Sequence, residues 1–438
     1  MKIGIIGTGY VGMVTAVGLA ELGHNVTGTD IVLEKIDKAN QGIAHIYEPG
    51  LEVLLKKHLK AGTLTFSHDL DGTIRSSDVL FVSVNTPQQE DGSADMSFVE
   101  SVSRRIAENL NSYKLIVEKS TVPVKTSSWI KRIICLYQKQ AHAFDVASNP
   151  EFLREGSAVK DFLEPDRIII GVETDKARDI LTKIYKKFHD RILITNIDTA
   201  ELIKHASNSF LAMKISFINL ISDLCEKTDA DVELVAEGMG LDSRIGKQFL
   251  NAGIGYGGSC FPKDVRALVK IGEDLGVDLD LLKQVDKVNT ARVDKFVEKV
   301  KKALWILKDK QIAVLGLAFK PETDDIRNAP SIRVIQALQS EGALLRLYDP
   351  KAVENMKEEV PEAANVVYSA SPYEAVKEAN ALLLITEWDE FRSLDLKKVK
   401  ELMANPIIID GRNIFKPGKV QELGFEYYSV GRLDKNKQ

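Results

Sequence analysis

Cysteine is scarce in this chain, and the three cysteines lie far apart. Cys135, Cys225 and Cys260 are odd in number, and no Cys-x-x-Cys pair occurs. A disulfide framework needs paired cysteines, and a structural zinc site needs closely spaced ligands. Neither is therefore expected, and we predict a protein of a reducing compartment without a metal centre.

Long apolar runs and an excess of one charge are also missing. No stretch of about 18 apolar residues appears, and the first residues predict a strand without a charged leader or an apolar signal region. The chain has 58 Lys and Arg against 63 Asp and Glu, a net charge of −5. We therefore predict a cytoplasmic protein whose partners are neither nucleic acid nor a membrane surface.

The sequence begins with a strand–loop–helix–strand pattern, KIGIIGTGYVGMVTAVGLAELGHNVTGTD. A buried strand at residues 3–6 is followed by a glycine-rich loop, a helix and a second strand that ends at Asp30. In such a loop Gly7 makes the turn, Gly9 lets the backbone approach a pyrophosphate and Gly12 lets the helix lie against the sheet. Asp30 would accept hydrogen bonds from ribose hydroxyls and repel a 2′-phosphate, which favours NAD over NADP.

Two further buried strands, LFVSVNTP and LIVEKSTVP, end in loops that contain threonine. Ligands of a doubly wound sheet bind outside the carboxyl ends of the strands. Thr86 and Thr121 are therefore positioned to contact a cofactor or the reacting carbon. The alternative is that both are loop threonines that cap helices.

An irregular connection, residues 149–156 (NPEFLREG), follows a strand that is predicted to end at Ser148. It carries two carboxylates, Glu151 and Glu155. Carboxylates four residues apart usually mark a solvated helix face. Their position directly after a strand favours a role in a site instead.

A long helix without Gly or Pro is predicted from Asp198 onward, in DTAELIKHASNSFLAMKISFINLISDLCEK. Asp198 and Glu201 have the spacing of a capping box. Apolar residues cover much of the circumference, so we expect this helix to be buried, with a subunit interface as a natural location. Lys204 and Asn208 lie one turn apart and either pair with structural partners or face a ligand, because an unpaired buried ammonium group is costly.

Residues 253–264, GIGYGGSCFPKD, combine four glycines with a cysteine, a proline, a lysine and an aspartate. Glycines allow the backbone to take positive φ and to approach a ligand closely. Pro262 fits the first turn of a helix, which puts Cys260 just before a helix N-terminus. There the helix dipole and Lys263 favour the nucleophilic thiolate. The alternative is a glycine turn in which Cys260 is a small buried residue.

A second α/β unit starts at QIAVLGLAFKPETDDIRNAP, after a charged helix predicted at about residues 279–307. Its strand–loop junction lacks the GxGxxG spacing. Lys320 and Arg327 follow this strand and Arg412 follows a later one, and such cations suit phosphate or carboxamide contacts. The tail after about Arg432 is expected to be frayed.

The order of these patterns predicts an α/β protein with two doubly wound, Rossmann-like domains joined by a helical middle domain with a long central helix. A chain of 438 residues is too long for one core and fits about three domains. We place them at residues 1–197, 198–308 and 309–438, so that the middle domain carries the cysteine loop.

Taken together, the motifs resemble the UDP-glucose/GDP-mannose dehydrogenase family. They appear in family order and spacing over nearly the whole chain: GTGYVG, VNTP, STVP, NPEFLREG, IKHASNSFLAMKISFINL, GYGGSCFPKD, GLAFKPETDDIR and DGR. Within the family, RIGKQFLNAGIGYGGSCF is most similar to the members that act on UDP-glucose. The resemblance implies an NAD-dependent oxidation of the C6 hydroxyl of UDP-glucose to a carboxylate. It also implies that the first domain binds NAD and the third binds the UDP-sugar.

The resemblance further implies roles for single residues. Cys260 would form a thiohemiacetal and then a thioester, which water hydrolyses. Lys204 and Asn208 would stabilise the developing alkoxide. The residues implied to position the hydrolytic water are Asp264, Glu151 and Thr121.

Binding roles complete this set. The residues expected to bind NAD are Gly7, Gly9, Tyr10, Val11, Gly12, Asp30, Lys35, Thr86, Thr121, Glu155, Lys263 and Arg327. Those expected to bind UDP-glucose are Glu151, Phe152, Leu153, Arg154, Glu155, Lys204, Asn208, Arg244, Phe249, Leu250, Asn251, Ala252, Gly253, Gly257, Lys320 and Arg412. Arg244 resembles a residue lent to the neighbouring subunit's sugar site, which implies a homodimer.

Two other functions fit the same sequence. A dehydrogenase that removes one hydride, of the hydroxyacid or 6-phosphogluconate type, also joins a Rossmann domain to long helices and needs no thiol. A non-catalytic dinucleotide sensor would leave Cys260 and Lys204 without a function. Production of NADH and its dependence on Cys260 distinguish the three.

Overall fold

Short apolar strands alternate with helices from the first residues onward, and the strands pair into two sheets, of eight and six strands. The structure is a computed structural model that describes residues 1–433, so from residue 434 the tail expected to be frayed lies outside the described residues. Two units are distinct: one comprises Met1–Ser207 and Lys270–Val277, the other Asn208–Val269 and the chain from Asp278 onward. The predicted fold class, two Rossmann-like sheets with a helical region between them in sequence, is confirmed.

The strands of the first unit are β1 (Lys2–Ile6), β2 (Asn25–Thr29), β3 (Leu64–Ser67), β4 (Val79–Val82), β5 (Lys114–Glu118), β6 (Phe144–Ser148), β7 (Ile168–Gly171) and β8 (Ile192–Thr195). Their order in the sheet is β3-β2-β1-β4-β5-β6-β7-β8. Neighbours are parallel except β6 and β7, which pair antiparallel. The strand order reverses between β1 and β4, and ligands of doubly wound sheets bind at such a point.

The helices of this unit are α1 (Tyr10–Glu21), α2 (Leu33–Asn40), α3 (Leu51–Ala61), α4 (Leu70–Ser76), α5 (Ser97–Asn109), α6 (Thr126–Tyr137), α7 (Ala158–Leu163) and α8 (Asp175–Ile184), followed by a 3₁₀ helix, Lys186–Arg191. They cover both faces of the sheet, and the residues of β4 and β5 are buried throughout. Burial on both faces explains why these strands are nearly continuous apolar runs rather than alternating ones.

The long central helix is confirmed as α9 (Ile197–Cys225), but the predicted capping box is wrong. The side chain of Asn196 caps the helix, because its Oδ1 accepts the Thr199 N–H at 2.8 Å. Glu201 does not reach back to Asp198. It accepts hydrogen bonds from Ser127 instead, so the spacing of the two acids arises from a tertiary contact.

The expectation that α9 is buried holds for only part of its surface. Ala212 and Ile218 are fully buried. In the part of α9 that belongs to the second unit, four large apolar side chains are 46–63% exposed. These are Phe210, Phe217, Leu220 and Leu224. Part of the apolar surface of α9 is therefore left exposed when the chain folds.

The second unit contains the rest of α9, α10 (Val232–Gly240), the start of α11 (Phe261–Asp274) and α12 (Asp280–Leu304). Its sheet has the order β11-β10-β9-β12-β13-β14 and is parallel throughout. The strands are β9 (Gln311–Leu315), β10 (Leu344–Tyr348), β11 (Val366–Tyr368), β12 (Ala381–Leu384), β13 (Ile407–Asp410) and β14 (Glu426–Ser429). The helices between them are α13 (Pro330–Ser340), α14 (Val353–Glu359), α15 (Pro372–Val376), α16 (Asp389–Arg392), α17 (Leu396–Leu402) and α18 (Pro417–Glu422).

The three cysteines are free, Cys225 being buried and Cys135 exposed. Among residues 1–433, no group of three or more His, Cys, Asp or Glu side chains is arranged to hold a metal ion. In the same part of the chain, every helix is too short or too polar to cross a bilayer.

Candidate active site

The loop between β1 and α1 leaves one face of its backbone open. A Cβ placed on Gly12 would lie 1.9 Å from the carbonyl oxygen of Gly7, so only glycine lets α1 pack this closely. A Cβ placed on Gly9 would meet nothing nearer than the side-chain oxygen of Asn85, at 3.7 Å. No side chain caps α1 at Gly9. The backbone at this helix N-terminus fits the pyrophosphate of NAD.

Asp30 stands at the end of β2, where the sequence predicts contact with a ribose. Its Oδ2 accepts hydrogen bonds from the Thr8 backbone N–H at 2.8 Å and from the Thr8 hydroxyl at 3.1 Å. The Val32 N–H donates to Oδ1 at 3.0 Å. The carboxylate is therefore fixed beside the glycine loop. Lys35 lies in the first turn of α2, partly exposed, and its contact with NAD stays a prediction.

The corresponding loop of the second sheet is closed by its own chain. Asp349, just after β10, accepts hydrogen bonds from the N–H groups of Leu317 and Ala318, at 2.7 and 3.1 Å. The indole of Trp388 donates to the same oxygen at 3.1 Å. These amides are used internally, which agrees with the absence of GxGxxG spacing there.

The threonine loops after β4 and β5 lie side by side. The Thr86 hydroxyl donates to the Thr121 carbonyl oxygen at 3.0 Å. The helices that follow begin at Ser97 and Thr126, so neither threonine is a helix cap. The structure thus brings together two predicted site residues at the edge of the sheet where ligands are expected.

Two consecutive buried ionisable side chains at the end of β5 were missed by the sequence analysis. Glu118 is 1% exposed, its Oε1 accepts the Ser120 N–H at 2.8 Å, and burial raises its pKa to about 8. Lys119 donates to Asn149 Oδ1 at 3.0 Å, and burial lowers its pKa to about 8. The available signal was two charges at the end of the apolar run LIV, directly before the STVP loop.

Glu118→Gln is expected to remove a loss of stability with rising pH. The folded-state pKa of Glu118 lies above its ordinary value of 4.5, so its stabilising contribution is complete below 4.5 and is lost as pH rises to about 8. The slope is at most about 1.4 kcal/mol per pH unit. As pH rises from 5 to 8, urea unfolding should show that the free energy of unfolding of the variant increases relative to that of the wild type. Equal pH profiles, or an equal gain in the exposed control Glu90→Gln, would contradict this.

The carboxylate of Glu151 and the ammonium group of Lys204 form a buried ion pair. Lys204 Nζ donates to Glu151 Oε1 at 2.8 Å, and the two side chains are 5% and 6% exposed. The Leu153 N–H donates to the other carboxylate oxygen at 2.6 Å. The solvated-helix interpretation is therefore wrong for Glu151, which lies in the irregular connection that the sequence predicts. Burying both charges is costly, so a pair of this kind marks a functional site as readily as a structural one.

Residues 149–154 of the NPEFLREG segment line a pocket of the first unit that also includes Lys119. The Phe152 ring stacks under the Arg167 guanidinium, 3.9 Å from the ring centroid. Arg154 points to Asp161, with Nη2 and Oδ1 2.5 Å apart. Glu155 is partly buried. Glu151 is held by a buried cation, Lys204.

The start of α9 fixes the Thr121 loop through two side chains that the sequence analysis did not select as site residues. Glu201 Oε2 accepts the Lys125 N–H at 2.6 Å, and Oε1 accepts the Ser127 hydroxyl at 2.7 Å. His205 Nε2 lies 2.8 Å from the Val122 carbonyl oxygen. No spacing rule in the sequence links a helix to a loop some 80 residues earlier.

In the second unit, Asn208 is bound to the carboxylate of Asp264. The Asn208 amide donates to Oδ2 at 2.6 Å, and Asp264 is 1% exposed. Lys263 Nζ lies 3.3 Å from Oδ1, outside hydrogen-bond geometry. Asp264 is thus a buried carboxylate with one neutral hydrogen-bond donor on one oxygen and a cation near the other.

Cys260 directly precedes α11, as predicted. Its carbonyl oxygen accepts the Asp264 N–H at 2.8 Å, the first hydrogen bond of that helix. The side chain is partly exposed, with Sγ 3.6 Å from the Ser259 hydroxyl. The interpretation as a small buried residue is therefore wrong. A thiol at a helix N-terminus, one turn before a carboxylate, suits nucleophilic chemistry.

The glycines of the cysteine loop serve packing as well as turns. Gly255 and Gly258 have positive φ, of 92° and 82°. A Cβ on Gly257 would lie 2.4 Å from the Asn328 carbonyl oxygen. Arg412 donates to the Gly255 carbonyl oxygen at 2.8 Å. The backbone of the cysteine loop thus lies close to other atoms, and some of these atoms belong to the chain's own backbone.

For several other residues, the predicted contact with substrate or cofactor stays a prediction. The Arg244 side chain is 87% exposed and binds Asp242, and the Arg327 side chain is 60% exposed and binds Asp325. Phe249 has φ of 64°, and Lys320 Nζ lies 5.5 Å from the Phe319 ring centroid. The remaining loop residues range from exposed to buried, and they are Leu250, Asn251, Ala252 and Gly253.

The first Rossmann-like unit has an open glycine loop, whereas Asp349 closes the corresponding loop of the second, and the strand ends near the open loop carry buried ionisable groups. These features define an oxidoreductase that uses a dinucleotide cofactor. The chain belongs to the UDP-glucose/GDP-mannose dehydrogenase family, and its cofactor is NAD. Sequence models of this family match residues 1–189 with the NAD binding domain, 198–291 with the central domain and 313–417 with the UDP binding domain.

Relatives match over nearly their whole length. The chain is 44% identical over 436 residues to the UDP-glucose 6-dehydrogenase TuaD of Bacillus subtilis, covering 98% of this chain and 93% of that one. It is 46% identical over 441 residues to the UDP-glucose 6-dehydrogenase of Rhizobium meliloti, covering 99% and 100%. The structure of a UDP-glucose dehydrogenase from Pyrobaculum islandicum superposes with a TM-score of 0.92 at 37% identity, covering 98% of each chain.

Proposed function

We propose that this protein oxidises C6 of UDP-glucose to a carboxylate and forms UDP-glucuronate. Full-length identity of 43–46% to UDP-glucose 6-dehydrogenases supports the substrate. One structural observation carries the mechanism: Cys260 directly precedes α11, and the buried Asp264 follows one turn later, bound to Asn208. A single-hydride dehydrogenase has no use for this thiol.

In the first oxidation, the chain has to stabilise an alkoxide and remove a proton. The glycine loop would hold NAD, which would supply one hydride acceptor per oxidation step, two NAD in all. Lys204, oriented by its 2.8 Å contact with Glu151, donates to the C6 oxygen as negative charge develops there. The Asn208 amide is the second donor. The hydroxyl proton is transferred to water that the carboxylates of Asp264 and Glu151 hold.

The thiol then retains the aldehyde. Cys260 Sγ attacks C6, a C–S bond forms, and the carbonyl oxygen takes up a proton, which gives a thiohemiacetal. Loss of the second hydride from C6 and of the hydroxyl proton leaves a thioester. Water positioned by Asp264, Glu151 and Thr121 adds to the carbonyl carbon. The C–S bond breaks, the thiol is regenerated, and the carboxylate is released.

The proposed domains divide the work. Residues 1–197 bind NAD through the glycine loop, Asp30, Thr86 and Glu155. Residues 198–308 carry the thiol. Residues 309–438 bind the UDP moiety, with Lys320 and Arg412 as cations. Residues 249–253 and 257 are proposed to contact the sugar nucleotide. We also propose that the enzyme acts in the cytoplasm.

We also propose that the enzyme is a homodimer through α9. Phe210, Phe217, Leu220 and Leu224 recur at intervals of seven, three and four residues and are 46–63% exposed, so they form one apolar stripe. Arg244, which is 87% exposed and binds Asp242, is proposed to exchange this partner for the sugar site of the other subunit. Sedimentation equilibrium should give a dimer for the wild type and a monomer for Phe217→Glu. A dimeric Phe217→Glu, or a monomeric wild type, rules this interface out.

The proposed function is tested by the number of NADH molecules formed per UDP-glucose consumed. A four-electron oxidation gives two, with UDP-glucuronate as the product identified by mass spectrometry. A ratio of one supports the single-hydride alternative. Absence of NADH formation with UDP-glucose leaves the family assignment intact and removes this substrate.

A further inference from the structure

Glu48, between α2 and α3, is a buried carboxylate that none of the roles above uses. It is 6% exposed. Its Oε2 accepts hydrogen bonds from the Tyr10 hydroxyl and from the Gly156 N–H, the latter at 2.7 Å. Its Oε1 accepts the Ala158 N–H at 2.8 Å. One carboxylate thus binds two segments that are separated by nearly 150 residues of sequence.

The two segments belong to the two halves of the site in the first unit. Tyr10 is the first residue of α1, next to Gly9, whose backbone is open to the pyrophosphate of NAD. Gly156, with φ of 81°, ends the NPEFLREG segment that also carries Glu151. The Gly156 N–H lies 3.2 Å from the Tyr10 hydroxyl oxygen as well. Cofactor loop and segment 149–156 therefore meet at a single group.

Burial and the charge of the carboxylate stabilise the contacts among Tyr10, Glu48 and Gly156. Burial, and then the contact with Glu48, raises the pKa of Tyr10, so its phenol remains a donor at physiological pH. Burial also raises the pKa of Glu48, while the hydrogen bonds from Tyr10 and Gly156 lower it. A buried carboxylate that loses one of its donors pays a desolvation cost. The position of Tyr10 and that of Gly156 are therefore linked energetically.

We propose that Glu48 is a positioning residue that couples NAD binding to the conformation of segment 149–156. A pyrophosphate on the backbone of the glycine loop fixes Tyr10, the phenol fixes Glu48, and Glu48 fixes the N–H groups of Gly156 and Ala158. Glu151 is thereby held in place for Lys204. The coupling is reciprocal, so a ligand that orders the segment also strengthens NAD binding.

The direct test is hydrogen exchange of the peptides that cover residues 151–159, with and without NADH. We expect NADH to slow this exchange roughly tenfold in the wild type and less than about twofold in Tyr10→Phe and Glu48→Gln. The double variant should show no further loss, since both changes break one link. Glu52→Gln is the matched control, because this exposed acid in the first turn of α3 accepts hydrogen bonds from the Ala44 N–H and from Lys56, and it should retain the wild-type response.

Full NADH-induced protection in Tyr10→Phe overturns the proposal. Tyr10→Phe deletes one hydroxyl and leaves Glu48 in place, so it decides the question even where Glu48→Gln does not fold.

A second measurement extends the proposal to the sugar and rests on the proposed function. The affinity for UDP-glucose, measured by calorimetry, should rise severalfold with NADH present in the wild type and stay unchanged in Tyr10→Phe. An equal rise in both proteins counts against the coupling. Failure of UDP-glucose to bind removes the proposed substrate, whereas the exchange experiment needs only NADH and still decides the role of Glu48.

Discussion

Cys260→Ala is expected to lower the rate of UDP-glucuronate formation by roughly three orders of magnitude or more, because no covalent intermediate forms without the thiol. Folding should be unaffected, since the side chain is partly exposed and its backbone carbonyl still accepts the Asp264 N–H. Quenched reactions analysed by mass spectrometry measure the acid and any aldehyde. Thermal unfolding confirms that the variant is folded.

The matched control for this experiment is Cys135→Ala, which removes an exposed thiol from α6. It should form acid at the wild-type rate with two NADH per sugar. Acid formation by Cys260→Ala at a rate near that of the control would show that water attacks the aldehyde directly. The cysteine loop would then be a structural turn, and the thioester route would be wrong.

Local sequence predicted the fold of the first 30 residues. The strand, glycine loop, helix and acid of the first 30 residues are consecutive, so the chain order alone places Asp30 beside Thr8 of the glycine loop. The same is true of Cys260 and Asp264, which are one helical turn apart. In these cases, the regular backbone geometry of one strand–helix–strand unit or of one helical turn fixes the contact.

Contacts between distant segments were not predictable in the same way. The position of Glu118 and Lys119 after the apolar run LIV was the one available signal, but residue types do not show which neighbours cover a strand end and bury both side chains. Asp198 and Glu201 matched a capping box, yet Asn196 caps the helix and Glu201 binds a loop. Glu48 was not selected at all, since its partners lie 38 and 108 residues away.

Lys204→Met is expected to reduce both stability and activity. The variant leaves Glu151 buried without its cation, and breaking a buried ion pair costs about 3–5 kcal/mol. Burial lowers the pKa of Lys119 to about 8, and the nearby charge of Glu151 opposes that shift, so Lys119 offsets part of that cost. Loss of an alkoxide donor lowers kcat by roughly two to three orders of magnitude. Urea unfolding and NADH formation measure the two effects separately.

The double variant Lys204→Met/Glu151→Gln separates a structural pair from a catalytic one. Replacing both charges removes the uncompensated carboxylate, so most of the lost stability should return. Activity should not return, because neither the cation for the C6 oxygen nor the carboxylate that positions water is restored. Lys131→Met, which breaks the exposed pair with Glu173, is the control and should cost less than about 1 kcal/mol. If kcat recovers together with stability in the double variant, the pair is structural and the alkoxide must be stabilised by another group.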